Sequence, residues 1–306
     1  MSEMIKKATR ASYGETLVEL AEKYPNLVVL DADLAHATNT LTFAKAYPDR
    51  FINCGIAEGN MMGVAAGLAA SGMLPFASSF AMFAAGRAFE QIRNSIGYPH
   101  LNVKIAATHA GISVGEDGAT HQCCEDIALM RSIPGMVVMT PADDVEAKAM
   151  VRAAAEYQGP CYIRLSRLAT PVFNDPETYK FEWGKGVTLK NGNDVTIVAC
   201  GLMVYECLQA ANILSGYGIN ARVINLHTIK PIDKQLMIKA ARETGRIVTV
   251  EEHNTIGGLG DAVQNAIRSN PCPMNKIGVH DVFGHSGPAV KLLEQFGLCA
   301  EAIANR

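Results

Sequence analysis

The 306-residue chain sets 27 Lys+Arg against 30 Asp+Glu, a net charge of −3, and holds no basic block of the kind that neutralises phosphate backbones, which argues against a nucleic-acid partner. At roughly 150 residues per domain the length suits two domains and excludes a peptide module or a disulfide-stapled miniprotein. Hydrophobic residues reach 49% and charged residues only 19%, below the usual ~25%, so large buried contacts are expected, some of them between subunits.

The first helical pattern runs from Ala11 to Tyr24, with Leu17, Leu20, Ala21 and Tyr24 on one face, and Pro25-Asn26 ends it before the apolar run Leu27 to Leu30. Short apolar runs follow at Phe51 to Asn53, Leu74 to Ala77, Val103 to Ala107, Met136 to Thr140 and Cys161 to Leu165. Strands apolar on both faces suit a parallel sheet covered on both sides. Gly59 to Gly86 runs 28 residues without a charge, longer than the ~20 that span a bilayer. Its bulk is Gly, Ala, Ser and Met, Pro75 interrupts it, and Asn60, Ser71, Ser78 and Ser79 would be poorly satisfied in lipid. A buried helix and strand are expected there, and no membrane. Pro141 is placed as the first residue of a helix through Val145, Met150 and Ala154, with Asp143 and Asp144 at its positive end.

Residues 168–193 are rich in Pro, Gly and polar residues and read as a linker. Beyond them Val195 to Cys200, Ala221 to Asn225 and Ile247 to Val250 look like strands, separated by helices near Met203 to Leu214 and Asp233 to Arg242. The expected fold class is α/β: two α/β domains, 1–167 and 194–306, each a mostly parallel sheet with helices on both faces. The eight cysteines are scattered, with no C-x-x-C pair, and no signal peptide follows Met1, so a reduced, cytoplasmic protein is expected.

Two constellations stand out. In Cys54-Gly-Ile-Ala-Glu58-Gly-Asn-Met-Met-Gly63 a carboxylate begins a helix whose glycines 59, 63 and 67 leave one face bare enough for another backbone to approach. Buried at such an interface, Glu58 would be driven towards its protonated form unless partnered. The alternative is a helix-start Glu that simply favours the dipole, and spacing leaves both open. The second constellation is the loop from Thr108 to Gln122, directly after a predicted strand, where α/β proteins place their sites. Within it His109, Glu116, Asp117 and His121 could move protons near neutral pH, hold a metal, or simply face solvent.

Three weaker signals carry less. Gly257-Gly-Leu-Gly260 resembles a phosphate cradle but misses the dinucleotide and Walker spacings, and puts Asp261 where an anion would go. Cys272, His280 and His285 have loose zinc-like spacing with no second pair. Gly284-His-Ser-Gly287 is one residue short of a nucleophile elbow.

On these residues the chain, from about 8 to 306, resembles the carboxyl-terminal half of transketolase, the thiamine diphosphate enzyme. The segments that carry the resemblance are Asp31-Ala-Asp33-Leu34, Gly55-Ile-Ala-Glu58, Ser79 to Gly86, the loop Thr108 to Gln122, Thr140-Pro-Ala-Asp143 and Leu165-Ser166-Arg167. The resemblance implies that Glu58 bonds the cofactor's pyrimidine nitrogen, that Phe80 stacks on the pyrimidine with Phe83 walling the pocket, and that Asp33 lies on the thiazolium side. It implies that His121 lies beside the cofactor's amino group, that His109 and Asp117 bond the sugar, and that Ser166 and Arg167 also bind the substrate, Arg167 gripping its phosphate with a fixed guanidinium fork. Glu58, His109 and His121 would then be the catalytic residues.

The family binds Mg²⁺ and the diphosphate through a Gly-Asp-Gly motif in a separate amino-terminal domain, and no Gly-Asp-Gly occurs here. The resemblance therefore implies one subunit of a split transketolase, with thiamine diphosphate and Mg²⁺ held jointly with an amino-terminal partner that supplies the metal ligands. Homodimerisation would then give a heterotetramer acting on sugar phosphates. Where the family offers a serine to the substrate phosphate, this chain has Ala35-His-Ala-Thr38, leaving Thr38 or His36 as the replacement. The rival readings are half of a deoxyxylulose-phosphate synthase, a 2-oxoacid dehydrogenase beta subunit, and a silent scaffold subunit.

Overall fold

A computed structural model describes residues 4–306. Its strands are β1 (Lys6–Ala8), β2 (Leu27–Asp31), β3 (Phe51–Asn53), β4 (Leu74–Phe80), β5 (Lys104–Thr108), β6 (Val137–Met139), β7 (Cys161–Arg164), β8 (Ala169–Pro171), β9 (Val187–Lys190), β10 (Val195–Ala199), β11 (Ala221–Asn225), β12 (Thr228–Lys230), β13 (Ile247–Asn254) and β14 (Met274–Val279). A seven-stranded sheet has the order β12-β6-β7-β5-β4-β2-β3, and a five-stranded sheet the order β14-β13-β10-β11-β9. Only β12 and β9, at one edge of each, run antiparallel to their neighbours, so the expected pair of mostly parallel α/β sheets is what forms. β2, β4 and β5 are buried at every position, as doubly covered parallel strands should be.

The strand order places the crevice. From β2 the chain moves one way to β3 and then returns to lay β4 on the other side of β2. Helices leave such a switch point on opposite faces, opening a gap beyond the strands' carboxyl ends, where open α/β sheets bind ligands. Asp31, Phe80 and Thr108 end the three strands that border it.

Several local readings change. Pro141 lies outside the helix it was placed in, which runs Asp144–Glu156 with Asp143 as its cap. Asp143 Oδ1 takes the Glu146 N–H at 3.0 Å, and a side-chain acceptor at that position starts a helix better than a proline two residues earlier. The polar stretch 168–193 carries β8, paired antiparallel with β1, and β9, the edge of the five-stranded sheet. Their short lengths and flanking Pro and Gly conceal them from periodicity. β13 continues four residues beyond Val250, through Glu251, Glu252 and His253, all three buried. Such polar residues hide a buried strand end. The expected helix and strand form as Glu58–Ala70 and β4, and no helix among the described residues is long and apolar enough to cross a membrane.

Candidate active site

The cleft at the switch point has a volume of about 940 Å³, and Arg10, Phe80, His109, Asp117 and Arg167 are among its lining residues. Among the described residues, three of the five non-glycine residues with left-handed backbone, Asp33 (φ 64°), Asn39 (φ 66°) and His109 (φ 56°), sit in the segments that follow β2 and β5. Strained backbone of this kind gathers at functional sites because the surrounding structure must hold it in place.

His109 follows β5 directly and stacks on Phe80, with ring centroids 3.8 Å apart and an interplanar angle of 23°. Its Nε2 lies 3.2 Å from Arg10 Nη1 and its Nδ1 2.9 Å from Thr108 Oγ1. A guanidinium can only donate, so Nε2 accepts and the ring proton sits on Nδ1, donated to Thr108. Burial, and then the charges of Arg10, Arg167 and His121, push the imidazole down to about 3. Against an unfolded value near 6.5 this depressed basicity adds stability that is present above pH 6.5 and is lost as pH falls towards 3. His109 is thus neutral throughout the physiological range. Nitrogen-15 NMR should show an Nδ1-protonated ring that does not titrate between pH 5 and 8, and a titration step near pH 6.5 would contradict this geometry.

Arg10 escaped the sequence reading. It donates from Nη1 to Ala37 O at 2.5 Å as well as to His109, while its Nε is buried without a partner. Burial first, and the charge of Arg167 second, lower its basicity. The signal was present in the sequence: in the helix Thr9–Lys23, Arg10 lies on the same face as Gly14, Leu17 and Ala21, all buried. A cation on an apolar stripe needs a reason. Arg167 donates to Val114 O and to the exposed Glu116, at 3.1 Å from the latter's Oε2. Two guanidiniums that face one cleft are a ready counter-charge for an anion.

Glu58 is 1% exposed at the first position of its helix. Arg87 Nη1 donates to its Oε2 at 2.8 Å, a partner the sequence did not reveal. The same guanidinium lies over the Phe83 ring, 4.6 Å from its centroid, and Phe83 stacks on Phe80 with centroids 5.9 Å apart. His121, half-buried, meets Phe83 edge-on at 5.2 Å and is tethered by Thr120. Glu58, Phe80, Phe83, His109 and His121 are therefore linked through one aromatic cluster. A flat heterocycle fits that chemistry, with π-faces to stack on and a buried carboxylate for a ring nitrogen.

The other predicted residues are more dispersed. Asp117 is exposed on the cleft wall. Asp33 is exposed and accepts from Asn53 at 3.0 Å, outside the cleft lining. Ser166 turns away, its N–H held by Thr9 at 2.8 Å and its hydroxyl by Leu168 O at 3.1 Å. Thr38 is buried with its hydroxyl on Asp31 at 2.7 Å, whereas His36 lines the cleft. Of the two, His36 is the one that faces the cleft.

The glycine cradle at 257–260 is filled from within. Glu251 accepts the N–H groups of Leu259 and Gly260 at 2.6 and 2.8 Å, and a Cβ at Gly258 would fall 2.0 Å from its Oε2. Its own chain supplies the anion, as helix N-termini favour. Among the described residues no three His, Cys, Asp or Glu gather closely enough to hold a metal ion.

Residues 5–172 match the family "Transketolase, pyrimidine binding domain" and residues 184–303 match "Transketolase, C-terminal domain". The chain belongs to the transketolase family. It corresponds to the carboxyl-terminal half, as split transketolases carry it. A transketolase C-terminal section inferred in Methanocaldococcus jannaschii is 54% identical over 98% of this chain and 95% of that protein. The 6-deoxy-6-sulfo-D-fructose transketolase subunit SqwH of Clostridium sp. is 44% identical over 96% of this chain and 91% of its own. Among solved structures, a split-gene transketolase described as an inactive beta4 tetramer superimposes with a TM-score of 0.91, at 55% identity, over 97% of this chain and 96% of that one.

Proposed function

We propose that this chain is the carboxyl-terminal subunit of a split transketolase, moving a two-carbon ketol unit from a ketose phosphate to an aldose phosphate together with an amino-terminal partner. The observation that carries this reading is the juxtaposition in one cleft of the neutral, Phe80-stacked His109 with the paired guanidiniums of Arg10 and Arg167. The accepting Nε2 of the imidazole suits a sugar hydroxyl, and the cations suit an anionic tail. The SqwH relative is named for a sulfonated sugar, and the same cation pair would accept a sulfonate.

Thiamine diphosphate, when bound, supplies the electron sink that lets a carbon–carbon bond beside a carbonyl break and re-form. Phe80 and Phe83 would hold its pyrimidine face, Glu58 would share a proton with a ring nitrogen, and His121 would bond the exocyclic amine. Asp33 would approach the thiazolium side. Its diphosphate and Mg²⁺ would rest on the partner subunit, since the Gly-Asp-Gly motif is missing from this chain. The relative described as an inactive tetramer of one chain type supports a need for a second polypeptide. Two of each subunit would give a heterotetramer, with the glycines of the Glu58–Ala70 helix, Gly63 and Gly67 both exposed, as the surface where backbones meet. The eight free cysteines suit a reducing, cytoplasmic setting.

The reconstituted pair is expected to transfer ketol units between sugar phosphates and to leave pyruvate unconsumed. Pyruvate consumption instead would identify a deoxyxylulose-phosphate synthase or dehydrogenase-type subunit, and no turnover at all a scaffold.

A further inference from the structure

The loop that carries His109, Asp117 and His121 grows from the seven-stranded sheet, yet it is braced from the five-stranded one. Glu252, near the end of β13, is 4% exposed and accepts the Ser113 N–H on Oε1 at 2.6 Å, a bond between residues 139 positions apart. Ser113 lies four residues from His109 and four from Asp117, at the centre of the loop. The contact is close on both sides. Gly111 has φ +80°, and a Cβ there would lie 2.3 Å from both Cδ and Oε1 of Glu252. Arg164 fixes the other end of the brace, donating from Nη2 to Glu252 O at 2.8 Å and from Nε to Asp126 at 2.8 Å. The loop's base is tied separately, through Asn254 N–H to Cys124 O at 2.8 Å and Gln122 to His285 O at 3.0 Å.

We propose that Glu252 is a positioning residue, through which the second sheet holds the loop in the geometry that presents His109 and Asp117 to the sugar. This rests on the reading of those loop residues as substrate-facing. A buried carboxylate is a costly way to fill space. Arg164 offsets part of that cost, and burial shifts the carboxyl's proton affinity upward. An apolar side chain of similar size would fill the same volume but strand a buried N–H in the middle of the loop. The acceptor is thus needed for the loop and not for the core around it.

The test compares wild type, Glu252→Gln and Glu252→Ala in the assembled two-subunit enzyme, by amide exchange and by kinetics. Glu252→Ala is expected to speed exchange of amides 113–117 about tenfold or more, leaving amides of β10 and β11 unchanged, and to raise the KM for ketose phosphate by a similar factor with a smaller loss in kcat. Glu252→Gln keeps an acceptor oxygen and should restore both towards wild type. Loop exchange that stays unchanged in Glu252→Ala, or a Gln variant as impaired as the Ala variant, would overturn the brace. A loosened loop with an unaltered KM would overturn the substrate-facing reading and leave the brace standing. Should the Ala variant not fold, Glu252→Asp, one methylene short of Ser113, carries the same expectations.

Discussion

Glu58→Gln should leave the two subunits assembled and lower ketol transfer by roughly 10²–10⁴-fold, the range for removing a positioned proton-transfer group. The substitution changes almost nothing else. The amide has the carboxyl's shape, its oxygen can still accept from Arg87, and the site is 1% exposed, so no solvent rearrangement accompanies it. What disappears is a group able to hold or release a proton at a ring nitrogen. Melting temperature and subunit stoichiometry measured beside turnover separate loss of chemistry from loss of fold. Unchanged turnover in an intact complex would remove Glu58 from the catalytic machinery.

The second large effect concerns the anion grip, and it divides between two arginines. Arg167→Ala is expected to raise the KM for a phosphorylated ketose by about 10- to 100-fold, the value of one charge-assisted bond to phosphate, with kcat changed much less. Arg10→Ala should raise KM similarly and also depress kcat, because the same guanidinium orients His109 through Nε2 and holds Ala37 O. Uncharged ketoses separate the roles. Neither arginine has an anionic tail to meet on such a substrate, so Arg167→Ala should match wild type there, whereas Arg10→Ala should stay slow. Equal losses of Arg167→Ala on charged and uncharged sugars would show that its contact with Val114 O, and not phosphate, sets its effect. Arg167→Lys should recover only part of the affinity, since an ammonium lacks the planar fork.

Much of the fold was legible because its central strands obey one rule. β2, β4, β5 and β7 are apolar on both faces, so short hydrophobic runs between loops mark them without help. The antiparallel edges β9 and β12 were not legible: each is three or four residues long and is fixed by its neighbour and not by its own pattern. β13 was read short because Glu251, Glu252 and His253 look like solvated loop, and their burial is paid for by partners that only the fold supplies, Ser113 and Ala128 from connections of the other sheet and Leu259 from the next helix. The site divides the same way. Glu58, Phe80 and the 108–122 loop follow strand ends, where position implies exposure to the crevice. Arg87 sits among ordinary neighbours and Arg10 shows only as a cation on an apolar stripe, and the folded chain alone brings them to Glu58 and His109. Ser166 shows the converse, since its neighbour Arg167 reaches the cleft while its own hydrogen bonds turn it towards Thr9 and Leu168.

Ligand-induced stabilisation of the chain with and without its matching amino-terminal subunit measures the division of labour directly. Thiamine diphosphate with Mg²⁺ should leave the melting temperature of the isolated chain unmoved and raise that of the mixture by several degrees, as about 2.7 kcal/mol of linkage at a hundredfold excess over Kd would do. A comparable rise for the isolated chain would mean that one polypeptide holds the whole cofactor, contradicting the shared site.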